Sequence, residues 1–308
     1  MAQLVWRLAA RVGRLYCRWA PTTRGKFFVW KRLFRARLAP RDLTLSAQTS
    51  FGGQFSLNLR DWVQCSVYAF GEWEPVTTSY MRDRLEPGDV FIDVGANIGY
   101  FSILAGIKVG PTGLVHAIEA SPSTFRLLNT NLSMNELSNV RTYNVAAADK
   151  SGEITLWVRE KENIGRSTII EAEGGSGTVE GKVLCLPLSD ILPEDDIVRA
   201  RFIKIDVEGA EWLVIQGFKH LLPRLSSKTE IILEIGQETV ERCLKIFCDA
   251  GFEPWVIDLE LNYPFYTPQS AGVGIKPLTD EIDRNKLVDL LFRRPQDLNP
   301  LSTKVQHQ

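Results

Sequence analysis

Short apolar runs alternate with longer stretches of helical periodicity through the middle of the chain. The runs predicted as strands occupy residues 90–94, 114–118, 140–147, 202–206, 230–235 and 252–257. The predicted helices occupy residues 98–108 and 122–135, a segment that begins near Glu208, and residues 238–250. Because strands joined through helices pair in parallel, this order predicts a doubly wound, mostly parallel α/β sheet. Extra strands at 153–158 and 183–186 flank a polar, Gly-rich loop at 173–181.

The first 60 residues follow different patterns. Residues 43–60 alternate around a Phe-Gly-Gly-Gln turn at 51–54, which predicts a β-hairpin. Residues 1–41 predict a basic amphipathic helical arm that is interrupted at Pro21. Its arginines at 7, 11, 14 and 18 share one face, and its apolar residues are expected on the opposite side. Three interpretations stay open: contact with an anionic membrane through residues 1–37, docking on the protein's own domain, or a removable targeting peptide.

Composition and charge narrow the class of protein. The 308 residues are 44% hydrophobic and 24% charged, which excludes a disordered or fibrous chain. Residues 1–41 carry eleven Lys or Arg and no acid, whereas the remainder carries 25 basic and 37 acidic residues. Such an acidic body is a poor binder of nucleic acid. Five cysteines without a CxxC pair and three scattered histidines predict reduced thiols and no metal site.

A glycine-containing turn follows the first strand of the predicted sheet. Asp93 ends that strand, Gly95 and Gly99 follow it, and Glu119 ends the next strand. Ligands of open α/β sheets bind at such strand ends, where a carboxylate can accept hydrogen bonds from ribose hydroxyls. Asp93 would repel a pyrophosphate but would attract a cationic amino-acid group, which favours S-adenosylmethionine over a nicotinamide dinucleotide. In the alternative interpretation, the two glycines only shape a strand–helix turn.

Three motifs together resemble the FkbM-type class I S-adenosylmethionine-dependent methyltransferases. They are DVGANIGY at 93–100, EASP at 119–122 and IDVEGAE at 205–211, and FGEWEP at 70–75 resembles a segment that often precedes the glycine turn in that family. The resemblance implies a seven-stranded Rossmann-like sheet and methyl transfer, often to hydroxyls. It also implies cofactor contacts at Asp93, Gly95, Asn97, Gly99 and Glu119. The expected divisions are an arm (1–41), a hairpin extension (42–88), a methyltransferase domain (89–275) and a C-terminal helix and tail (276–308).

Charged residues in the strand at 202–206 and just after it are the candidates for a catalytic or cofactor-binding role. Lys204 needs a carboxylate partner if that strand is buried, and Asp93 or Glu234 could supply it. Asp206, at the strand end, is predicted to contact the cofactor or to act as the general base, and Glu208 is the second candidate base.

Three other titratable residues lie outside the motifs. Asp149 is predicted to contact the adenine amino group or, equally well, to be an ordinary turn residue. His116 is expected in the core, and His220 is expected at the surface.

The function predicted from these features is S-adenosylmethionine-dependent O-methylation. The acceptor would be a small molecule, a glycan or a lipid-linked molecule, met in the cytoplasm or at the inner face of a membrane. N-methylation, a nicotinamide-dependent oxidoreductase and a non-catalytic cofactor-binding protein are the alternatives. The oligomeric state is not specified by any of these features.

Overall fold

The computed structural model describes residues 2–20, 23–158, 167–168, 178–236, 239–257, 274–278 and 288–295. Its helices are α1 (Ala2–Trp19), α2 (Thr23–Val29), α3 (Trp62–Phe70), α4 (Pro75–Arg84), α5 (Tyr100–Val109), α6 (Pro122–Ser133), α7 (Leu188–Ile191), α8 (Glu194–Val198), α9 (Glu211–Gln216) and α10 (Val240–Asp249). A π-helical segment (Trp30–Leu38) extends α2, and 3₁₀ turns occupy Ala39–Arg41 and Lys219–Arg224.

The strands form three sheets. They are β1 (Thr44–Gln48), β2 (Gln54–Asn58), β3 (Val90–Val94), β4 (Leu114–Ile118), β5 (Val140–Tyr143), β6 (Ala146–Ala147), β7 (Gly152–Val158), β8 (Ser167–Thr168), β9 (Thr178–Leu186), β10 (Phe202–Ile205), β11 (Glu230–Ile235), β12 (Glu253–Ile257), β13 (Ile275–Pro277) and β14 (Val288–Arg293). The central sheet has the order β13-β12-β14-β11-β10-β3-β4-β5. Strands β5, β4, β3, β10 and β11 are parallel, and β14 is inserted antiparallel between β11 and β12.

The C-terminal part of the chain corrects one expectation. Residues 288–293, which were assigned to a C-terminal helix and tail, form strand β14 inside the central sheet, so the domain extends past residue 275. Short apolar runs fit either element, and here two neighbouring strands supply the backbone partners of a strand. The sheet has eight strands within the described residues, because β13 adds a short edge strand beyond the seven that were expected.

The central strands are buried on both faces because their side chains alternate between two cores. Phe91 and its register partner Phe202 point into one apolar cluster, which the hairpin and α5 also line. Ile92 and its partner Ile203 point into the other cluster, together with residues of α9 and α10. Every residue of β3 and β10 is buried, as the near-continuous apolar runs predict for parallel strands covered by helices.

A smaller sheet interrupts the alternation where the sequence predicts it. Strands β6, β9, β7 and β8 pair in that order, and β7 and β9 contain the two extra strands expected from the pattern. The run at 140–147 is not one strand, since β5 belongs to the central sheet and β6 to the small one. Of the loop expected at 173–181, residues 178–181 are the start of β9, and the rest lies outside the described residues.

The N-terminal arm docks on the domain. In α1, Ala10 and Cys17 are fully buried, and the Arg14 guanidinium donates hydrogen bonds to the backbone carbonyls of Tyr68 and Gln48. The hairpin β1–β2 forms as predicted, with Thr44 paired to Asn58. The arginine face is therefore not simply solvated, because part of it anchors the helix. Among the described residues, no helix is both long enough and apolar enough to cross a membrane.

Candidate functional site

The turn between β3 and α5 lies at the carboxyl end of the central sheet. Gly95, Asn97 and Gly99 adopt positive φ angles of 86°, 50° and 88°. The backbone N–H groups of Gly95 and Ala96 both donate to the carbonyl of Ile118, at 2.9 Å each, and so fasten the turn to the end of β4. Within residues 93–100, Gly95 and Asn97 keep partial exposure, whereas the other residues are buried. The turn thus presents Gly95 and Asn97 at the carboxyl end of the central sheet.

Packing inside the protein requires glycine at position 95, and the positive φ of Gly99 favours glycine there as well. A Cβ on Gly95 would lie 1.8 Å from the backbone oxygen of Asp206, and one on Gly99 would lie 2.6 Å from Leu128. The alternative interpretation, in which these glycines shape the turn, therefore has a physical basis in the fold. The same packing places the end of β10 directly against the turn, which brings the first and third motifs together.

Glu119 follows β4 and is buried beside the turn. Its Oε2 accepts the backbone N–H of Asn97 and its Oε1 accepts the backbone N–H of Ser121, both at 2.8 Å. Burial raises the pKa of the Glu119 carboxyl to about 7, although both N–H groups favour its ionised form. Ser121 is the N-cap of α6, as predicted, and accepts the backbone N–H of Thr124. Each carboxylate oxygen of Glu119 retains acceptor capacity for a further donor.

A second carboxylate, Glu180 of β9, reaches the same place and was not predicted. Its Oε1 accepts hydrogen bonds from the hydroxyls of Ser121, at 2.8 Å, and of Ser123, at 2.5 Å. Its Oε2 is buried and has no hydrogen-bond partner among the described residues. Its negative charge contributes to the raised pKa of Glu119. Only the pairing of a separate sheet brings Glu180 here, and no sequence motif marks it.

A buried network of charges lies under the glycine turn. Lys204 Nζ donates to Asp206 Oδ2 at 2.7 Å, and Asp93 Oδ2 accepts the Ser102 hydroxyl at 2.5 Å. Burial alone would lower the pKa of Lys204, but the carboxylates of Asp206, Glu74 and Asp93 raise it above its usual range. Burial raises the pKa of Asp93 to about 6 against the opposing effect of Lys204. The expected partnership of Lys204 with Asp93 is thus electrostatic, and its hydrogen-bond partner is Asp206.

Three carboxyl groups near the carboxyl ends of β10 and β11 form an acidic cluster: Asp206 and Glu208 follow β10, and Glu234 lies in β11. The negative charge of Asp206 and then burial hold the pKa of Glu234 well above its ordinary value, and the charge of Glu208 acts in the same direction. Burial would raise the pKa of Asp206, but Lys204 and a hydrogen bond with Glu234 hold it below its usual range. A proton bound by this pair therefore resides preferentially on Glu234. From the sequence, Glu234 is expected only as a partner for Lys204.

Glu208 has a special backbone position. It lies in the turn before α9 with a φ of 51°, and its side chain is half-buried. The helix that was expected to begin near Glu208 begins at Glu211 instead. Glu211 accepts the N–H of Gly209 at 2.8 Å, which fixes the turn from the helix side.

Three titratable residues considered from the sequence lie away from the glycine turn and the acidic cluster. Asp149 is exposed in the turn before β7, where its charge acts on Cys185, and no described contact joins it to the glycine turn. His116 is fully buried between Asp196, at 3.0 Å, and the Tyr143 hydroxyl, at 2.9 Å, so the core interpretation is confirmed. His220 is exposed beside Glu194, as expected of a surface residue.

Within the described ranges, no group of three or more His, Cys, Asp or Glu residues is arranged to hold a metal ion.

The sheet, the glycine turn and the carboxylate after β4 define a class I S-adenosylmethionine-dependent methyltransferase. A family model described as the methyltransferase FkbM domain matches residues 93–254, just over half of the chain. The chain belongs to this FkbM methyltransferase family, and its cofactor is S-adenosylmethionine.

Named relatives agree with this assignment. Methyltransferase sdnD of Sordaria araneosa is 31% identical over 176 residues, which cover 47% of this chain and 67% of that protein. The 31-O-demethyl-FK506 methyltransferase FkbM of Streptomyces tacrolimicus is 30% identical over 166 residues, covering 45% and 63%. The chain thus spans about two thirds or less of the relatives it matches. A methyltransferase FkbM structure from Methylobacillus flagellatus aligns with a TM-score of 0.45 and 16% identity, covering 74% of this chain and 50% of that one.

The residues at the carboxyl end of the central sheet fit S-adenosylmethionine chemically. Glu119 and Glu180 offer carboxylate oxygens of the kind that ribose hydroxyls need as acceptors, and Glu180 Oε2 lacks a partner within the described part of the chain. Asp206 and Asp93 place negative charge near the turn, which suits a ligand with a positively charged amino-acid end. Asp93 is fully buried, so we expect its influence to be electrostatic.

Proposed function

We propose that this chain transfers the methyl group of S-adenosylmethionine to a hydroxyl oxygen of a small hydroxylated molecule, such as a secondary metabolite, a glycan or a glycolipid. The observation that carries the proposal is the acidic cluster beside the glycine turn. An alcohol becomes a good nucleophile as its proton leaves, and a nearby carboxylate can accept that proton. The Streptomyces relative, a 31-O-demethyl-FK506 methyltransferase by name, supports methylation of oxygen.

The three carboxyl groups of the acidic cluster have different roles in this proposal. Asp206 is a weak base because Lys204 stabilises its ionised form, so its role is to hold negative charge beside the turn. Glu234 forms a hydrogen bond with Asp206, and the charge of Asp206 together with burial holds the pKa of Glu234 well above its ordinary value. Glu208 is half-buried on the turn that follows and is the carboxylate that we assign as general base.

The residues of this chain contribute mainly by positioning. When bound, S-adenosylmethionine supplies a methyl group that is already activated by the positive charge on sulfur. Holding the acceptor oxygen in line with that methyl group then accounts for much of the rate, and proton removal by Glu208 accounts for the rest. An amine acceptor that arrives unprotonated would not need this base, which separates N-methylation from the proposed reaction.

The test replaces Glu208 while leaving the cofactor site intact. We expect Glu208→Gln to lower the rate of methyl transfer from labelled S-adenosylmethionine into an extract of the source cells by about 100-fold or more. Its affinity for S-adenosylhomocysteine should stay within about twofold of wild type, since the side chain is not among the ribose acceptors. Glu253→Gln removes an exposed carboxylate on β12 and serves as the matched control.

Three outcomes would contradict the proposal. A wild-type rate for Glu208→Gln would show that Glu208 is not the base. Labelled product in which the methyl group is bonded to nitrogen would replace O-methylation with N-methylation. Binding of S-adenosylhomocysteine without transfer to any component of the extract would support the non-catalytic alternative.

The proposed setting is the cytoplasm. All five cysteines are free thiols, and four of them are buried, which suits a reducing compartment. A lipid-linked acceptor would require contact with the inner face of a membrane.

A further inference from the structure

Helix α1 exposes a continuous apolar stripe on the outside of the protein. The stripe recurs every three or four residues, so its members share one face of the helix. Between 59% and 76% of each side chain is exposed at Leu4, Leu8, Val12, Leu15 and Trp19. Soluble surfaces rarely expose a contiguous apolar patch of this kind unless something covers it.

The rest of α1 is already used, so the helix has three distinct faces. One face packs on the domain through Ala10, Gly13 and Cys17, with Gly13 in close contact with Leu33. The arginines lie between this buried face and the apolar stripe. Arg14 and Arg18 donate to the backbone carbonyl of Gln48, whereas Arg7 and Arg11 are exposed. The expectation that the arginines lie opposite the apolar residues is therefore wrong, because the helix has a third, buried side.

The docking of α1 fixes the direction in which the stripe points. The Arg41 guanidinium stacks over the Trp6 ring with its central carbon 3.6 Å from the ring centroid, and Arg14 binds the end of α3 through the Tyr68 carbonyl. The helix cannot rotate its apolar side inward without breaking these contacts. A stripe held outward in this way is a preformed surface.

We propose that the stripe Leu4, Leu8, Val12, Leu15 and Trp19 inserts into the interface of an anionic lipid bilayer, with Arg7 and Arg11 contacting lipid phosphates. An amphipathic helix that lies in the plane of the interface buries its apolar face below the headgroups and places basic residues among them. Tyr16 and Trp19 have rings suited to the headgroup level, and both are exposed. This inference does not rest on the proposed reaction.

Charge selects the bilayer over other occupants. Residues 1–41 contain eleven Lys or Arg and no acid, so the arms of two copies would repel each other if their stripes met. The remainder of the chain has an excess of acidic residues and would be repelled by an anionic surface. Attraction at the arm and repulsion at the body together orient the protein with α1 toward the lipid.

The test measures sedimentation with vesicles of equal parts phosphatidylcholine and phosphatidylserine, with pure phosphatidylcholine vesicles as the comparison. The triple substitution Leu4→Gln, Leu8→Gln and Leu15→Gln should weaken binding by about tenfold for each leucine. The double substitution Arg7→Gln and Arg11→Gln should weaken it by about fivefold for each arginine and reduce its dependence on salt.

Matched controls keep these results interpretable. Leu184→Gln replaces a leucine of the body that is 54% exposed and should leave vesicle binding unchanged. Because all substituted side chains are exposed, we expect thermal unfolding and S-adenosylhomocysteine affinity to match wild type. Deleting residues 1–37 would be a poor test, since it would remove the buried Phe34 side chain and leave Tyr68 without its ring contact.

Three results would overturn the inference. The wild-type protein could fail to sediment with anionic vesicles at low salt. The leucine variant could bind vesicles as tightly as wild type. The protein could also form an oligomer in solution that the leucine variant dissociates, which would identify a second copy as the occupant of the stripe.

Discussion

Replacing Glu119 with Gln is the perturbation that probes the cofactor site most sharply. The carboxylate accepts two backbone N–H groups, from Asn97 and Ser121, at 2.8 Å each. The amide keeps the size of the side chain but has a single oxygen, so its NH₂ group faces one of those N–H groups. An unpaired buried donor costs about 1–3 kcal/mol. The substitution should also weaken cofactor binding. A lost hydrogen bond between the cofactor and a charged group costs about 1.5–3 kcal/mol, or roughly ten- to hundredfold in affinity.

The substitution Glu119→Gln also removes an ionised carboxylate from a buried site, and this gain offsets part of its cost to the free energy of unfolding. At pH 8 the carboxylate is ionised in a site where its pKa is about 7 rather than its ordinary 4.5, which costs about 3 kcal/mol. The amide removes this cost, so we expect the free energy of unfolding of Glu119→Gln at pH 8 to stay within about 2 kcal/mol of wild type. Proton binding stabilises the folded wild type below pH 7. The difference in unfolding free energy should therefore move in favour of wild type as the pH falls from 8 to 5.

The assay is calorimetric titration of S-adenosylhomocysteine, with urea unfolding of the same samples. Wild-type affinity should weaken as the pH falls below 7, since the protonated carboxyl is a poorer acceptor, whereas the affinity of Glu119→Gln should depend less on pH. Glu253→Gln is the control for removing a carboxylate. A folded Glu119→Gln protein with wild-type affinity and an unchanged pH profile would remove Glu119 from the cofactor site.

Three further substitutions test neighbouring parts of the site. Gly95→Ala should cost about 3 kcal/mol or more in urea unfolding, because φ is 86° and the new Cβ would lie 1.8 Å from Asp206 O; near-wild-type stability would contradict the packing argument. Asp206→Asn should lower the free energy of unfolding by about 3 kcal/mol, since Lys204 loses its hydrogen-bonded carboxylate, and a stable variant would show that other groups hold the lysine. Glu180→Gln should weaken S-adenosylhomocysteine binding about tenfold while Ser121 keeps its N-cap; unchanged affinity would assign Glu180 a structural role.

The central part of the fold could be predicted because local pattern and burial agree there. The run at 90–94 is apolar apart from Asp93, and the whole strand is buried. Ser121 before Pro122 is a capping signal that the structure realises with a hydrogen bond to Thr124. Such signals depend on a few neighbouring residues, so a single sequence suffices to find them.

The parts that escaped prediction depend on contacts between distant segments. Residues 288–293 become a strand because β11 and β12 lie on either side of them, which their own sequence does not specify. Glu180 reaches Ser121 and Ser123, beside the end of β4, through the pairing of β9 with β6 and β7. Glu234 acquires its raised pKa from Asp206, 28 positions earlier in the chain. Each effect arises from tertiary placement, and a motif search cannot detect it.

The identity of the methylated atom is the most direct test of the proposed function. The measurement is NMR of the product formed when the protein and S-adenosylmethionine carrying a ¹³C-methyl group are incubated with an extract of the source cells. The account predicts a new resonance from a methyl group bonded to oxygen, which is absent without protein and strongly reduced with Glu208→Gln. A methyl resonance bonded to nitrogen or carbon, or no transferred label although S-adenosylhomocysteine binds, would contradict it.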